Sequence, residues 1–134
     1  MVATIDTEGR GCLTIDIVGA ASTAAGGQGE IDNPEGVTLL VTKSMLYVEE
    51  SSTGACNISI GIDTTGGTFN DIINALSVAS VDGKVYNGHA RQNTTKTEIT
   101  VPALWTAAKK LGITASATMV GFVGKLLVEY IRLE

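Results

Sequence analysis

The feature that most constrains the fold is a run of apolar side chains at every second position. Within residues 56–63 four apolar side chains alternate with small or polar ones. They are Cys56, Ile58, Ile60 and Ile62. Successive side chains of an extended strand point to opposite faces, so this pattern predicts a half-buried β-strand. Residues 121–133 carry apolar side chains on both faces and predict a final strand that is covered on both sides.

Similar alternation predicts strands elsewhere in the chain. Residues 2–7 and 11–18 predict an N-terminal hairpin, and residues 37–49 predict a long strand whose apolar face changes near Thr42-Lys43. A β-bulge there would restore one consistent inward face. A polar turn that ends in Thr53-Gly54 predicts that the long strand forms a hairpin with the strand at 56–63.

Two segments have helical rather than alternating spacing. Thr68 can cap a short helix that includes Phe69, Ile72, Ile73 and Leu76, and residues 104–111 predict a second short helix that ends at Gly112. Short strands are expected at residues 84–86 and 98–101. Only 17% of the residues are charged and 16 are glycine, a composition that favours strands and turns over surface helices.

The predicted fold class is all-β, an antiparallel, jelly-roll-like β-sandwich with short helices and an N-terminal arm. Residues 19–36 lose all periodicity and are rich in glycine, which indicates a loop or linker. We therefore predict that residues 1–36 form an arm with a Gly-rich linker, and that residues 37–134 form the sandwich domain.

Charge and hydropathy argue against several functions. A net charge of −5 with scattered basic residues disfavours binding to nucleic acid, which requires clustered Lys and Arg. No run reaches the roughly 18 apolar residues that span a bilayer, so no membrane partner is expected. The N-terminus lacks the basic segment and apolar core of a secretory signal, which predicts synthesis in the cytoplasm.

Few residues suggest chemistry, and we expect no enzyme, no cofactor and no metal. His89 lies in a polar loop without a nucleophile motif, and with Cys12 and Cys56 it lacks the spacing of a zinc site. The two cysteines are each placed on the apolar face of a strand, which favours core thiols over a disulfide without excluding one. Residues 63–71 offer oxygen ligands, but they do not match a calcium loop.

An alternative function is glycan binding, in a tail or host-recognition module. Trp105, Tyr47, Tyr86 and Tyr130 would form a sugar-stacking platform if they converged on one surface. Aromatic residues this few more often anchor a core or an interface.

The chain resembles small structural proteins of tailed phages and prophages. The resemblance covers residues 37–134 and rests on TKSMLYVEESSTGACNISIGID, FNDIINALSV, VDGKVYNG, the segment around Trp105 and the closing GFVGKLLVEYIRL. It implies a β-sandwich virion component, most simply a capsid decoration or head-fibre protein that binds the major capsid protein, or another virion protein, as a homotrimer. It brings no catalytic residues.

The N-terminal arm has two alternative placements. Its apolar strands cannot be stable as an isolated hairpin in water, so they need a surface. A neighbouring subunit or the capsid would supply one, in keeping with a homotrimer or another small closed ring. Alternatively, the arm folds back onto its own sandwich as two further strands.

Overall fold

The described part of the chain consists of nine β-strands in two sheets. The structure, a computed structural model, describes residues 3, 9–87 and 103–133. The strands are β1 (Arg10–Val18), β2 (Gly29–Asp32), β3 (Leu39–Glu50), β4 (Asn57–Asp63), β5 (Ile73–Ser77), β6 (Val85–Asn87), β7 (Ala103–Trp105), β8 (Lys110–Ala115) and β9 (Val123–Arg132).

The two sheets pack face to face. Sheet A has the order β1-β9-β3, and both β6 and β7 pair with the other edge of β3. Sheet B has the order β2-β8-β4-β5, and the strand pairs of both sheets are antiparallel. Successive strands of the described chain lie in different sheets except for the pairs β4–β5 and β6–β7, which is the path of a jelly roll. The predicted antiparallel, jelly-roll-like β-sandwich is confirmed.

The core lies between the sheets and is formed by alternate residues of the long strands. Ile58 and Ile60 of β4 and Leu126 and Val128 of β9 are fully buried, as their alternation predicts. Trp105 from β7 is also fully buried. The apolar area that these side chains remove from water is the main favourable term of folding.

The predicted bulge in β3 is confirmed. The register of β3 against β9 shifts between Val41 and Lys43, so Thr42 and Lys43 both lie opposite Glu129. The extra residue keeps Val41 and Leu46 on the buried face, although they are five positions apart.

The predicted hairpin between β3 and β4 is wrong. β3 belongs to sheet A and β4 to sheet B, and the segment between them crosses the end of the sandwich. There Ser52 donates its backbone N–H to the carbonyl of Val78 at 3.0 Å. Two strands that face one core from opposite sides alternate in the same way as two that are paired, so alternation cannot tell them apart.

The two predicted helices are wrong, and no helix occurs in residues 9–87 or 103–133. The helical spacing of the first comes from a bulge in β5. Ile73 pairs with Ile60 and Leu76 with Ile58, so Asn74 and Ala75 together lie opposite one residue. This extra residue allows Ile73 and Leu76, three positions apart, to face the same core.

The second helical pattern spans two strands. Ala103 and Trp105 point inward from β7 while Leu104 is exposed, and Leu111 is buried in β8. A turn joins the strands, in which Lys109 donates its N–H to Thr106 at 3.0 Å. The indole Nε1 of Trp105 donates to the carbonyl of Lys109 at 2.8 Å and satisfies its one polar atom in the core.

The N-terminal segment supplies a strand to each sheet of its own chain. β1 pairs along its full length with β9, and β2 pairs with β8. β1 agrees with the alternative in which the arm folds back onto its own sandwich, whereas β2 lies within residues 19–36, where a loop or linker without strands was predicted, and that part of the prediction is wrong. The strand predicted at residues 98–101 lies outside the described residues, as does nearly all of that at 2–7.

The two cysteines are free and differ in environment. Cys56 is buried as expected, but Cys12 is exposed, and its placement on an apolar face was wrong. Leu13, Ile15 and Ile17 point toward the core from β1, so Cys12 lies on the opposite face of the strand.

Candidate functional site

The outer face of sheet A is unusually apolar for a surface. Residues directly opposite each other in an antiparallel pair point to the same side, so the strand register identifies the members of this face. We call it outer face A. Its apolar side chains are Val18 of β1, Leu40, Met45 and Tyr47 of β3, Val85 of β6, Leu104 of β7, and Val123, Leu127 and Ile131 of β9.

Outer face A also holds most of the exposed large hydrophobic side chains of the described residues. Six such side chains exist, and Val18, Tyr47, Val85 and Leu104 lie on this face. Leu133 follows Ile131 by two positions and extends the face beyond the end of β9. Only Val120, in the turn before β9, lies elsewhere. Single exposed apolar groups are normal on a protein surface, but their concentration on one face makes outer face A a candidate interaction surface.

The outer face of sheet B is polar by comparison. Residues that lie opposite one another on neighbouring strands form three rows on this face. Lys110 lies between Asp63 and Asp32, Gly112 lies between Gly61 and Glu30, and Ser59 lies opposite Thr114. A solvated face of an antiparallel sheet normally carries polar residues in this way. The contrast shows that the apolar character belongs to one face and not to the whole surface.

Charges on outer face A are nearly balanced. Its basic side chains are Arg10, Lys43 and Lys125, and its acidic ones are Asp16, Glu49, Glu50 and Glu129. The ammonium of Lys125 contacts the carboxylate of Asp16 at 2.6 Å, and this hydrogen bond raises the pKa of Lys125. The face therefore carries a net charge of −1, against −5 for the whole chain.

A depression of about 470 Å³ opens on outer face A beside the bulge of β3. Thr42 lines one side, and Arg10, Cys12 and Glu129 line the floor and the other side. The small side chain of Cys12 leaves this space between longer neighbours. The exposed thiol thus lies on the edge strand β1 of the face, away from the buried Cys56.

One charged cluster closes the end of the sandwich next to this depression. The phenol of Tyr130 donates to Glu35 at 2.6 Å, and Arg132 contacts the same carboxylate oxygen at 3.0 Å. These two hydrogen bonds lower the pKa of Glu35, while burial raises the pKa of Tyr130. Because Tyr130 is only 3% exposed, the cluster joins the loop after β2 to β9 rather than presenting reactive groups.

The sequence candidates for chemistry that lie in the described residues do not converge. His89 lies outside the described residues. Asp63 accepts the N–H groups of Thr64 and Thr68 at 2.8 and 3.0 Å, which stabilises the turn after β4 and lowers the pKa of Asp63. The described residues contain no group of three His, Cys, Asp or Glu side chains that could hold a metal ion.

The four aromatic residues do not form an exposed platform. Trp105 and Tyr130 are buried in the core, whereas Tyr47 is exposed on outer face A. Tyr86 pairs with Leu46 and packs partly against the core. Stacking of a sugar on these four side chains together is therefore not supported by their positions.

A serine and an aspartate lie close together at the end of the sandwich. Ser51 Oγ donates to Asp82 Oδ1 at 2.5 Å and accepts the N–H of Val81 at 2.7 Å. The hydroxyl and the backbone N–H of Ser51 both donate to Asp82, and these two hydrogen bonds lower the pKa of Asp82. No imidazole lies beside the pair in the described residues, and the hydrogen bonds fix the turn before β6.

Outer face A was not predicted from the sequence. Leu104 was assigned to a helix, although its flanking residues Ala103 and Trp105 alternate with it in a strand pattern. The register of β3 with β7 is needed to place it beside Leu40.

No helix in the described residues is long and apolar enough to cross a membrane. Comparison of the chain with family models, curated proteins and solved structures found no match.

Proposed function

We propose that the chain is a non-enzymatic structural protein of a phage or prophage virion that assembles as a homotrimer through outer face A and decorates the capsid. The observation that carries the assembly part is the concentration of Val18, Val85, Leu104 and Leu133, each at least half exposed, on one sheet face. The virion part rests on the sequence resemblance over residues 37–134. Jelly rolls are used in viral capsids, among other roles, which agrees with it.

The size of outer face A suits a specific interface. Four strands about 4.8 Å apart and about 34 Å long present roughly 650 Å² before side-chain relief is counted. A stable interface of standard size buries about 800 Å² on each partner. One copy of the face therefore has most of the area of one such contact, and in a ring this area is divided between two smaller contacts.

The charge of outer face A favours a second copy of this chain as the partner. Two chains of net charge −5 repel each other over most of their surfaces, whereas this face brings charges of both signs close to balance. Arg10 and Lys43 of one copy can approach Glu129 and Glu50 of another. Charges at the rim of an apolar patch set orientation and register more than affinity.

The arrangement of apolar groups on outer face A favours a ring. Leu40, Leu104 and Ile131 form one apolar row, and Val18 and Val123 form another at the far end. The row that contains Cys12, Lys43 and Glu129 separates the first row from Met45, Leu127 and the rows beyond them. A contact between the first row of one copy and the second row of the next is heterologous, and such contacts form a ring, such as the proposed trimer, when the rotation between copies closes.

Sedimentation equilibrium of the purified chain tests the assembly. Three copies of 13.8 kDa predict a species of about 41 kDa. Leu104→Lys should shift the equilibrium to monomer, because it places an ammonium in the apolar row at a position 54% exposed. The matched control is Val120→Lys, since Val120 is 48% exposed but lies in the turn before β9. A wild-type monomer, or equal dissociation by both variants, would contradict the proposal.

Electron microscopy tests the capsid partner separately. Shells of the phage or prophage that encodes the chain, imaged with and without added protein, should gain density at regular lattice positions. Leu104→Lys should weaken this density if the trimer is the binding form. Failure of the wild-type oligomer to bind any shell would exclude decoration while leaving self-association intact.

A further inference from the structure

A small polar cavity lies on the outer face of sheet B, on the side of the sandwich away from outer face A. Its volume is about 240 Å³. Ser59 of β4, Asn74 of β5 and Thr114 of β8 form the floor, and the loop between β4 and β5 forms a wall through Thr68 and Asn70. Strands therefore fix the floor, and a loop closes over it.

Asn74 contributes a hydrogen-bond donor that the fold does not use. The residue is only 7% exposed, and no described residue accepts a hydrogen bond from its Nδ2. Buried polar groups are nearly always paired, and an unpaired buried donor costs free energy. A side-chain amide that lines a cavity and lacks a protein partner is suited to an acceptor on a ligand.

The backbone beside Asn74 is strained in a way that orients this side chain. Ala75 has a φ of 55°, in the left-handed region that residues other than glycine seldom adopt. Its N–H donates to Ser59 Oγ at 3.0 Å instead of to a backbone carbonyl. This is the bulge that turns Ile73 and Leu76 inward and leaves Asn74 on the outer side, and such bulges re-aim side chains next to binding sites.

Two hydroxyl groups on the floor add further donors. Ser59 Oγ accepts from Ala75, and Thr114 Oγ1 accepts the N–H of Gly26 at 2.9 Å. A hydroxyl that accepts one hydrogen bond still has its own proton to donate. Together with Asn74 Nδ2, these groups offer three donors on the floor of one cavity.

The surroundings of the cavity disfavour an anion. No ionisable side chain among the described residues lines it. The loop that closes it is held by carboxylates, since Glu30 accepts the N–H of Gly66 at 2.9 Å and Asp63 accepts the N–H of Thr68 at 3.0 Å. Asp71 accepts the N–H of Ile62 at 2.8 Å on the same side of the sheet. Negative charges on and beside the loop that closes the cavity repel phosphate, sulfate or carboxylate ligands.

We propose that the cavity binds one neutral sugar residue, at the end of a glycan, with Asn74, Ser59 and Thr114 donating to its hydroxyl or ring oxygens. Hydroxyl groups both donate and accept, so they match a site of amides and hydroxyls without charge. The volume is below the roughly 300–1,000 Å³ of pockets for drug-sized ligands, which suits a single ring. The site is independent of outer face A and of the proposed assembly.

Nuclear magnetic resonance of the ¹⁵N-labelled full chain tests the proposal, because the side-chain NH₂ of Asn74 gives its own signals. Glucose, galactose, mannose and N-acetylglucosamine are titrated one at a time, with inorganic phosphate as the anionic probe. We expect at least one sugar to shift the Asn74 NH₂ and Thr114 amide signals in a saturable way. Phosphate should leave them unchanged.

Variants connect any binding to the cavity. Asn74→Ala should raise the Kd of the sugar by roughly tenfold or more, and a factor of ten corresponds to about 1.4 kcal/mol. Asn57→Ala, on the same face of β4 but outside the cavity, should leave the Kd unchanged. If Asn74→Ala does not fold, Thr114→Val removes a donor with little change of shape and should weaken binding as well.

A glycan array separates a free sugar from a glycan terminus. If the wild-type chain binds a glycan on the array and Asn74→Ala does not, the result supports the proposal. This holds even if the free sugars bind too weakly to saturate the chemical shifts. Absence of any sugar-dependent shift at Asn74 together with an empty array overturns it. A response to phosphate in place of sugars also overturns it, as does equal sugar binding by wild type and Asn74→Ala.

Discussion

Replacement of Gly112 by alanine tests the packing that holds the β4–β5 loop on sheet B. Gly112 lies in the middle of β8, and a Cβ added there would overlap the ring carbons of Phe69. The ring of Phe69 is 2% exposed, so it cannot move aside without opening the loop. We expect overpacking to cost about 1–3 kcal/mol of unfolding free energy in Gly112→Ala.

The same substitution should become harmless once the ring is absent. Phe69→Ala alone should cost about 3–5 kcal/mol, the usual range for a buried phenylalanine. In that background the methyl group introduced by Gly112→Ala has no ring to overlap, and alanine in a strand is favoured over glycine by about 0.5–1 kcal/mol. The two substitutions should therefore be non-additive by about 2 kcal/mol, with the double variant more stable than the sum of the single effects predicts.

Urea unfolding of the four proteins at one protein concentration measures this coupling. Gly54→Ala is the control, because no atom lies within 4 Å of its added Cβ. Its unfolding free energy should change by no more than about 0.5 kcal/mol. Additive effects of Gly112→Ala and Phe69→Ala would refute the placement of the ring against β8.

Three further predictions use the same urea assay. Ser44→Ala should stabilise the protein by about 1 kcal/mol, because its buried hydroxyl has no partner among the described residues; a loss of stability would contradict this. Burial raises the pKa of Asp71, so its contribution to stability falls as the pH rises through the ordinary value of 3.8 toward the raised folded pKa. Asp71→Asn should remove this fall, and an unchanged pH profile would show that Asp71 is not its source. Asn33 donates to Val37 and Trp105 and accepts two N–H groups, so Asn33→Ala should cost about 2 kcal/mol or more. Asn33→Asp should cost at least as much, because it keeps the acceptor but places a second oxygen against two carbonyls; equal stability of both variants and wild type would be inconsistent with these hydrogen bonds.

Local alternation was enough to predict most strands and the sandwich. The inward faces of β4 and β9 follow from period two alone, and the bulge at Thr42 follows because the apolar face of β3 changes there. These features depend on which side chains must leave water, and the order of residues in each strand contains that information.

The same patterns could not predict which strands pair with each other. β3 and β4 were expected to form a hairpin, yet they belong to opposite sheets. Both arrangements bury the same alternate residues, and only the competition among all strands for partners decides between them. The bulge at Ala75 gave a helical spacing to a strand for a related reason, since one inserted residue changes the apparent period.

The candidate surfaces depend on this long-range register and were therefore missed. Leu104 and Leu40 are 64 positions apart in the sequence and adjacent in sheet A. Asn74 was one polar residue in a predicted helix until the β5 bulge and the loop above it left its amide buried without a partner among the described residues. Neither property is visible in a window of neighbouring residues.

The reactivity of Cys12 measures most directly whether copies of the chain meet through outer face A. Its thiol is exposed in the separate chain and lines the depression on this face, whereas Cys56 is 4% exposed. The rate of reaction with a thiol reagent, followed over a range of protein concentrations, should fall as the oligomer forms and stay constant for Leu104→Lys. A Cys12 rate in the wild-type oligomer equal to that of the monomeric variant would contradict assembly through this face.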